Sequence, residues 1–125
     1  MANPNLAKLT SIYGKTVFDA DVSSTDSQLL LNAASSNKLL KINTLVIANI
    51  NGISSGNITI RIKNSAGSSL YSTLAYTVTV PADSSFVAIS KDTPIYLRED
   101  KAIYLQASIS GYLSATCSYE EIDDA

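Results

Sequence analysis

The chain of 125 residues has no histidine, no tryptophan and a single cysteine, and only 16% of it is charged. Histidine is the commonest general base and the commonest metal ligand, so its absence removes both from the available chemistry. One cysteine, Cys117, cannot form an intrachain disulfide, so the fold does not depend on oxidation. It sits in the alternating run Leu113, Ala115, Cys117, Tyr119 and reads as a small buried hydrophobe, because a reactive thiol needs a histidine or a helix N-terminus beside it. The net charge of −2 and the lack of any Lys/Arg block argue against a nucleic-acid partner. No apolar stretch approaches the ~20 residues of a membrane span, and the opening residues lack the charged and apolar regions of a secretory signal. The expectation is a protein with no membrane partner that folds in the cytoplasm of the cell making it. Charge normally accounts for about a quarter of a chain. Here Ser, Thr and Asn replace it, which gives a surface that repels neighbours weakly; β proteins are also Ser/Thr-rich for other reasons.

What is present is alternation. From Leu29 to Tyr119 short apolar-alternating segments are broken by Ser, Asn, Gly and Asp, which is the pattern of an all-β sandwich or barrel. Strands are expected over residues 11–19, 28–32, 39–51, 57–63, 70–74, 76–80, 86–90, 95–97, 102–109 and 113–119. In the third of these, Leu40 and Ile42 share one parity and Leu45 and Ile47 the other, so a β-bulge is expected near Asn43-Thr44. In the fourth, Ile58, Ile60 and Ile62 face one way and Thr59, Arg61 and Lys63 the other. The fold class is therefore all-β: a single antiparallel β-sandwich of jelly-roll character. Residues 1–10 read as an extended N-terminal arm, 11–119 as the sandwich and 120–125 as an acidic tail. The expected core is Ile58, Ile60, Ile62, Val78, Val80, Val87, Ile89, Ile95, Leu97, Ile103, Leu105 and Leu113.

Candidate sites are few. No GxSxG elbow is present, and Ser90 and Lys91, being adjacent, point to opposite faces of a strand. Asp19, Asp21 and Asp26 do not match a calcium-loop spacing and read as turn residues. Asn57-Ile-Thr59 fits a glycosylation sequon by accident of composition. No enzymatic activity, cofactor or metal is expected. Two tyrosines, Tyr96 and Tyr104, fall on outer sheet faces, where they serve either a contact surface or cross-strand pairing. The last six residues carry four acids, Glu120, Glu121, Asp123 and Asp124, against a mildly basic remainder. That tail either dangles in solvent or docks on a neighbour's Arg61/Lys63 or Lys38/Lys41 face. Asn3, Pro4 and Leu6 belong to an arm with too few apolar anchors to order itself, so contact with another subunit is its expected fate. A glycan-binding module using Tyr71, Tyr76 and Tyr112 is the alternative from a different class.

Met1-Ala-Asn-Pro-Asn-Leu-Ala7, Lys41-Ile-Asn43, Val80-Pro-Ala-Asp-Ser-Ser85, Pro94-Ile-Tyr-Leu97 and Ser118-Tyr-Glu-Glu-Ile122 together carry a resemblance. The chain resembles small virion structural proteins of tailed phages that infect marine cyanobacteria. It departs from that pattern at Arg98-Glu-Asp-Lys101, where the pattern has a glycine. The resemblance implies an assembly component of the phage particle, located in the virion. Of the possible places, a capsid decoration (cement) protein on the head exterior is expected first, and a neck, tail or fibre component second. The expected partners are copies of itself, with a trimer favoured, and the major capsid protein or other virion proteins.

Overall fold

The computed structural model describes Ala7 and residues 11–123. Among the described residues nine strands follow one another: β1 (Ser11–Asp19), β2 (Ser27–Asn32), β3 (Lys38–Asn49), β4 (Gly56–Asn64), β5 (Leu70–Val80), β6 (Ser85–Ile89), β7 (Ile95–Leu97), β8 (Lys101–Ala107) and β9 (Leu113–Asp123). They form two sheets packed face to face. The first has the order β1-β9-β3-β6, with β7 also pairing β3, and the second the order β2-β8-β4-β5. Every pairing is antiparallel. The pairs nest: β1 with β9, β2 with β8, β3 with β6 and β7, β4 with β5. This is the wiring of a jelly roll.

The core lies between the sheets. Ile42, Leu45 and Ile47 of β3, Ile58 and Ile60 of β4, Ile103 and Leu105 of β8 and Leu113 of β9 are fully enclosed. The bulge expected in β3 is present, because its pairing with β9 skips from Ile42 to Thr44. That extra residue keeps Leu40 and Ile42 in the same core as Leu45 and Ile47 although their parity differs. Two buried asparagines tie the sheets at their ends. Asn32 Nδ2 donates to the carbonyls of Lys38 and Leu97, both at 2.9 Å. Asn49 Nδ2 donates to the carbonyls of Ser54 at 3.0 Å and Val80 at 2.9 Å.

The structure corrects the sequence reading in several places. The segments 70–74 and 76–80 are one strand, β5, which keeps pairing with β4 through three irregularities. Val87 is not in the core. The register of β6 shifts between Leu45 and Val46, which leaves Ile89 opposite Leu45 inside and Val87 opposite Val46 outside, 56% exposed. Ile62, Val78 and Ile95 are half-buried at the edge of the core. The supposed acidic tail is strand through Asp123, held on both sides by β1 and β3. The turn without glycine at 98–101 takes a left-handed backbone at Asp100, φ 60°. Aspartate tolerates that region better than most residues.

Candidate functional site

The two outer faces of the sandwich differ in chemistry. The face of the β2-β8-β4-β5 sheet is polar and charged. The alternation of β4 puts Thr59, Arg61 and Lys63 there, and β8 adds Tyr104 and Gln106 through the pairs Arg61–Tyr104 and Thr59–Gln106. Asp26 lies between the two cations: its Oδ2 accepts a hydrogen bond from Lys63 Nζ, and its Oδ1 is 3.7 Å from Arg61 Nη1. Arg61 Nη1 also donates to Gln106 Oε1 at 3.3 Å, and Gln106 Nε2 donates to the Ser24 carbonyl at 3.0 Å. Lys63 Nζ sits 4.9 Å from the centre of the Tyr104 ring, a cation–π distance. The Arg61/Lys63 face expected to meet a neighbour's acids is thus occupied in part by Asp26 of the same chain. A sequence reading had no means of finding that partner, because it comes from the connection before β2.

Beside Arg61 the sheet is dented. In β5 the pairing with β4 jumps from Ile58–Val78 to Ile60–Ala75, leaving Tyr76 and Thr77 as a bulge. Thr77 has φ 47°, a left-handed backbone that is an outlier for a β-branched residue. Its amide is held by the Thr59 hydroxyl at 3.1 Å. The dent forms a cavity of about 230 Å³ bordered by Asn57, Arg61, Tyr76, Thr77, Gln106 and Ser108.

The outer face of the other sheet is nearly uncharged. Cross-strand pairing sets Phe18, Thr116, Val46 and Val87 in one straight row over β1, β9, β3 and β6. Phe18 is 70% exposed, and a hollow beside it is lined by Asp19, Ala20, Ile50, Ser114 and Thr116. Rows of Thr16, Ser118 and Thr44 on one side and Ser114, Ala48 and Ser85 on the other extend the surface. Among the described residues the charges on this face are Lys41 and Glu120, which stand opposite each other in the β3–β9 register, and Asp19, which borders the hollow beside Phe18.

The remaining expected site residues are dispersed. Tyr96 stands opposite Lys41 on the outer face of the β1-β9-β3-β6 sheet, 45% exposed. Together with Tyr71, Arg98 and Lys101 it borders a shallow cleft, in which Lys101 Nζ lies 4.4 Å from the centre of the Tyr71 ring. Tyr104 lies half-buried on the outer face of its sheet, as expected. Its hydroxyl lies over Gly67 in the β4–β5 turn and donates to Gln28 Oε1 at 3.4 Å. Tyr112 packs against the core. Glu121 bridges Lys15 at 3.1 Å and Lys38 at 3.5 Å within the chain, so its charge partners are intramolecular. The Glu121 carboxylate is also the main cause that pushes the Lys15 amine up from its usual value. Glu120 pairs with Gly14 and Lys41, and Asp123 with Ser11 and Lys38, as strand neighbours. Asn3, Pro4, Leu6 and Asp124 lie outside the described residues.

Asp21 serves a turn, accepting from the Gly111 amide at 2.6 Å, and Asp19 accepts from the Asp21 amide at 3.2 Å. Cys117 is enclosed, and burial pushes its thiol up to about 12. Among the described residues no three His, Cys, Asp or Glu side chains stand close enough to hold a metal ion, and no helix is long and apolar enough to cross a membrane.

No family model matches the chain, and no curated protein matches its sequence. Among solved structures it is similar to the subunit of the disulfide-linked pili that form Bacillus endospore appendages, with a TM-score of 0.53, 12% identity, and coverage of 92% of this chain and 90% of that one. A chain of infectious bursal disease virus, Gx strain, aligns with a TM-score of 0.38 and 13% identity over 94% of this chain and 32% of that one. At 12% identity the first match shows a shared sandwich fold.

Proposed function

We propose that this chain is a structural subunit of a tailed-phage virion, a decoration protein of the head exterior. The observation that carries the reading is the nearly uncharged outer face of the β1-β9-β3-β6 sheet, with its Phe18–Thr116–Val46–Val87 row. Soluble monomers rarely leave a large apolar row exposed on a flat sheet, and the cores of protein interfaces are depleted of charge in just this way. A sheet face of this kind packs on another sheet at a spacing of about 10 Å. The opposite face, carrying Arg61, Lys63 and Asp26, suits solvent.

The partners on this reading are the major capsid protein and further copies of the chain, associated as a homo-oligomer, a trimer. Jelly rolls serve many functions, so the fold weighs for an architectural role only by analogy. The pilus subunits to which the fold is similar are described as disulfide-linked. Cys117 is enclosed in the core here, so contacts between these subunits run through surfaces and not through this sulfur.

Quantitative mass spectrometry of purified particles tests the role. A copy number comparable with that of the major capsid protein supports decoration. A small number moves the protein to the neck, tail or fibre, and absence from particles rejects the virion reading. Phe18→Lys tests the face: the protein should fold with unchanged stability yet lose its association with particles, and normal association would remove the row from the interface.

A further inference from the structure

The cavity beside Arg61 has a composition that packing against a capsid does not account for. From it the geometry points to a binding site for a carboxylate-bearing sugar, a uronic-acid unit of an acidic saccharide. This site is independent of the nearly uncharged face, which lies on the other sheet.

The first argument is charge. Arg61 is the charged side chain in the cavity lining, and Asp26 is shared between Arg61 and Lys63, so one positive charge is left over at the site. The second is orientation. The contacts of the guanidinium run through Nη1, toward Gln106 and Asp26, and Gln106 is itself anchored on the Ser24 carbonyl. One edge of the fork is fixed, which leaves Nε and Nη2 for a carboxylate in the bidentate geometry that arginine favours. The third is the wall. The bulge that puts Thr77 in a left-handed backbone brings Tyr76, 69% exposed, to the rim of the cavity. Its ring presents a face on which the C–H side of a sugar ring stacks. Asn57 and Thr77 supply an amide and a hydroxyl for the sugar's own hydroxyls. An acidic peptide would need cations along a strip; here a single guanidinium stands among neutral hydrogen-bonding groups and one aromatic ring. That mixture reads one carboxylate and several hydroxyls.

The test is titration calorimetry on the full chain with trigalacturonate and trimannuronate as probes, and with the carboxyl-reduced form of each as its control. Saturable binding of at least one uronate at low-millimolar concentration is expected, about tenfold or more tighter than its reduced form. Arg61→Gln should abolish that preference, and Tyr76→Ala should weaken binding about tenfold, while Tyr71→Ala, in the separate cleft beside Tyr96, should bind as the unaltered protein does. Circular dichroism and urea midpoints establish that each variant is folded. The proposal is overturned if neither uronate binds, if the reduced sugars bind equally well, if Tyr76→Ala leaves binding unchanged, or if Tyr71→Ala abolishes it.

Discussion

Gly67→Ala gives a quantitative test of how Tyr104 is seated. Gly67 has φ +77°, and a Cβ built on it would lie 2.6 Å from the Tyr104 hydroxyl oxygen and 3.1 Å from the ring carbon that carries it. Two costs should arise. A left-handed backbone at an L-residue with a side chain costs roughly 1–2 kcal/mol. Displacing the Tyr104 ring, which would weaken its contacts with Lys63 and Gln28, adds a steric cost of about 1–3 kcal/mol. The expected total is about 2–5 kcal/mol, read as a fall in urea midpoint at unchanged m-value. The two parts separate in a double-mutant cycle. Tyr104→Phe removes the atom at 2.6 Å, so Gly67→Ala made on that background should be cheaper by about 1 kcal/mol or more, leaving mainly the backbone part. If the two changes add to within about 0.5 kcal/mol, the hydroxyl does not sit over Gly67, and Tyr104 is free to act as the outward contact residue that the sequence suggested.

Ile60→Ala should cost about 2–5 kcal/mol because its side chain is enclosed, whereas Val87→Ala should stay within about 0.5 kcal/mol; equal effects in chemical denaturation would contradict the β6 bulge. Cys117 should resist thiol reagents in the folded protein and react on unfolding. Its raised value favours the fold below the unfolded value of 9.0, and that contribution should fade as pH rises from there toward about 12, visible as a falling urea midpoint over alkaline titration. Asp100 is held below its usual value of 3.8 by the Ser65 hydroxyl and then the Ser65 amide. Its contribution is present above the unfolded value and is lost as pH falls through the folded one, so Ser65→Ala should move the Asp100 titration upward in carboxyl NMR.

The strands were legible where side-chain alternation and turn residues agreed, as in β4 and at the bulge of β3. The phase of β6 was not, because Phe86 to Ile89 is apolar at every position and only the pairing with Val46 shows which residue is extra. The end of β9 was hidden by its acids, which suggested solvent. A signal was nevertheless present: Ile122, an aliphatic within the acidic run, is buried opposite Leu39, and the acids face Lys15, Lys38 and Lys41. Arg61 could be placed on an outer face by parity alone. Its cavity could not, since it depends on a β5 bulge setting Tyr76 close to Gln106, residues on strands that do not pair with each other.

The nested pairing also dictates the order in which the chain can fold while it is being made. A ribosome releases β1 and β2 first, but their partners are β9 and β8, the last two strands to emerge. Until then the Ser11–Asp19 strand has nothing to pair with, and Phe18 has no sheet to lie on. The neighbouring β4–β5 pair can close early, while the first sheet must wait for synthesis to pass Leu113, the start of β9. Long waits for distant strands make for slow folding and for exposed edges during translation. A ribosome stalled between β5 and β6 should therefore hold a chain whose β4–β5 hairpin resists protease while β1 to β3 are still cut.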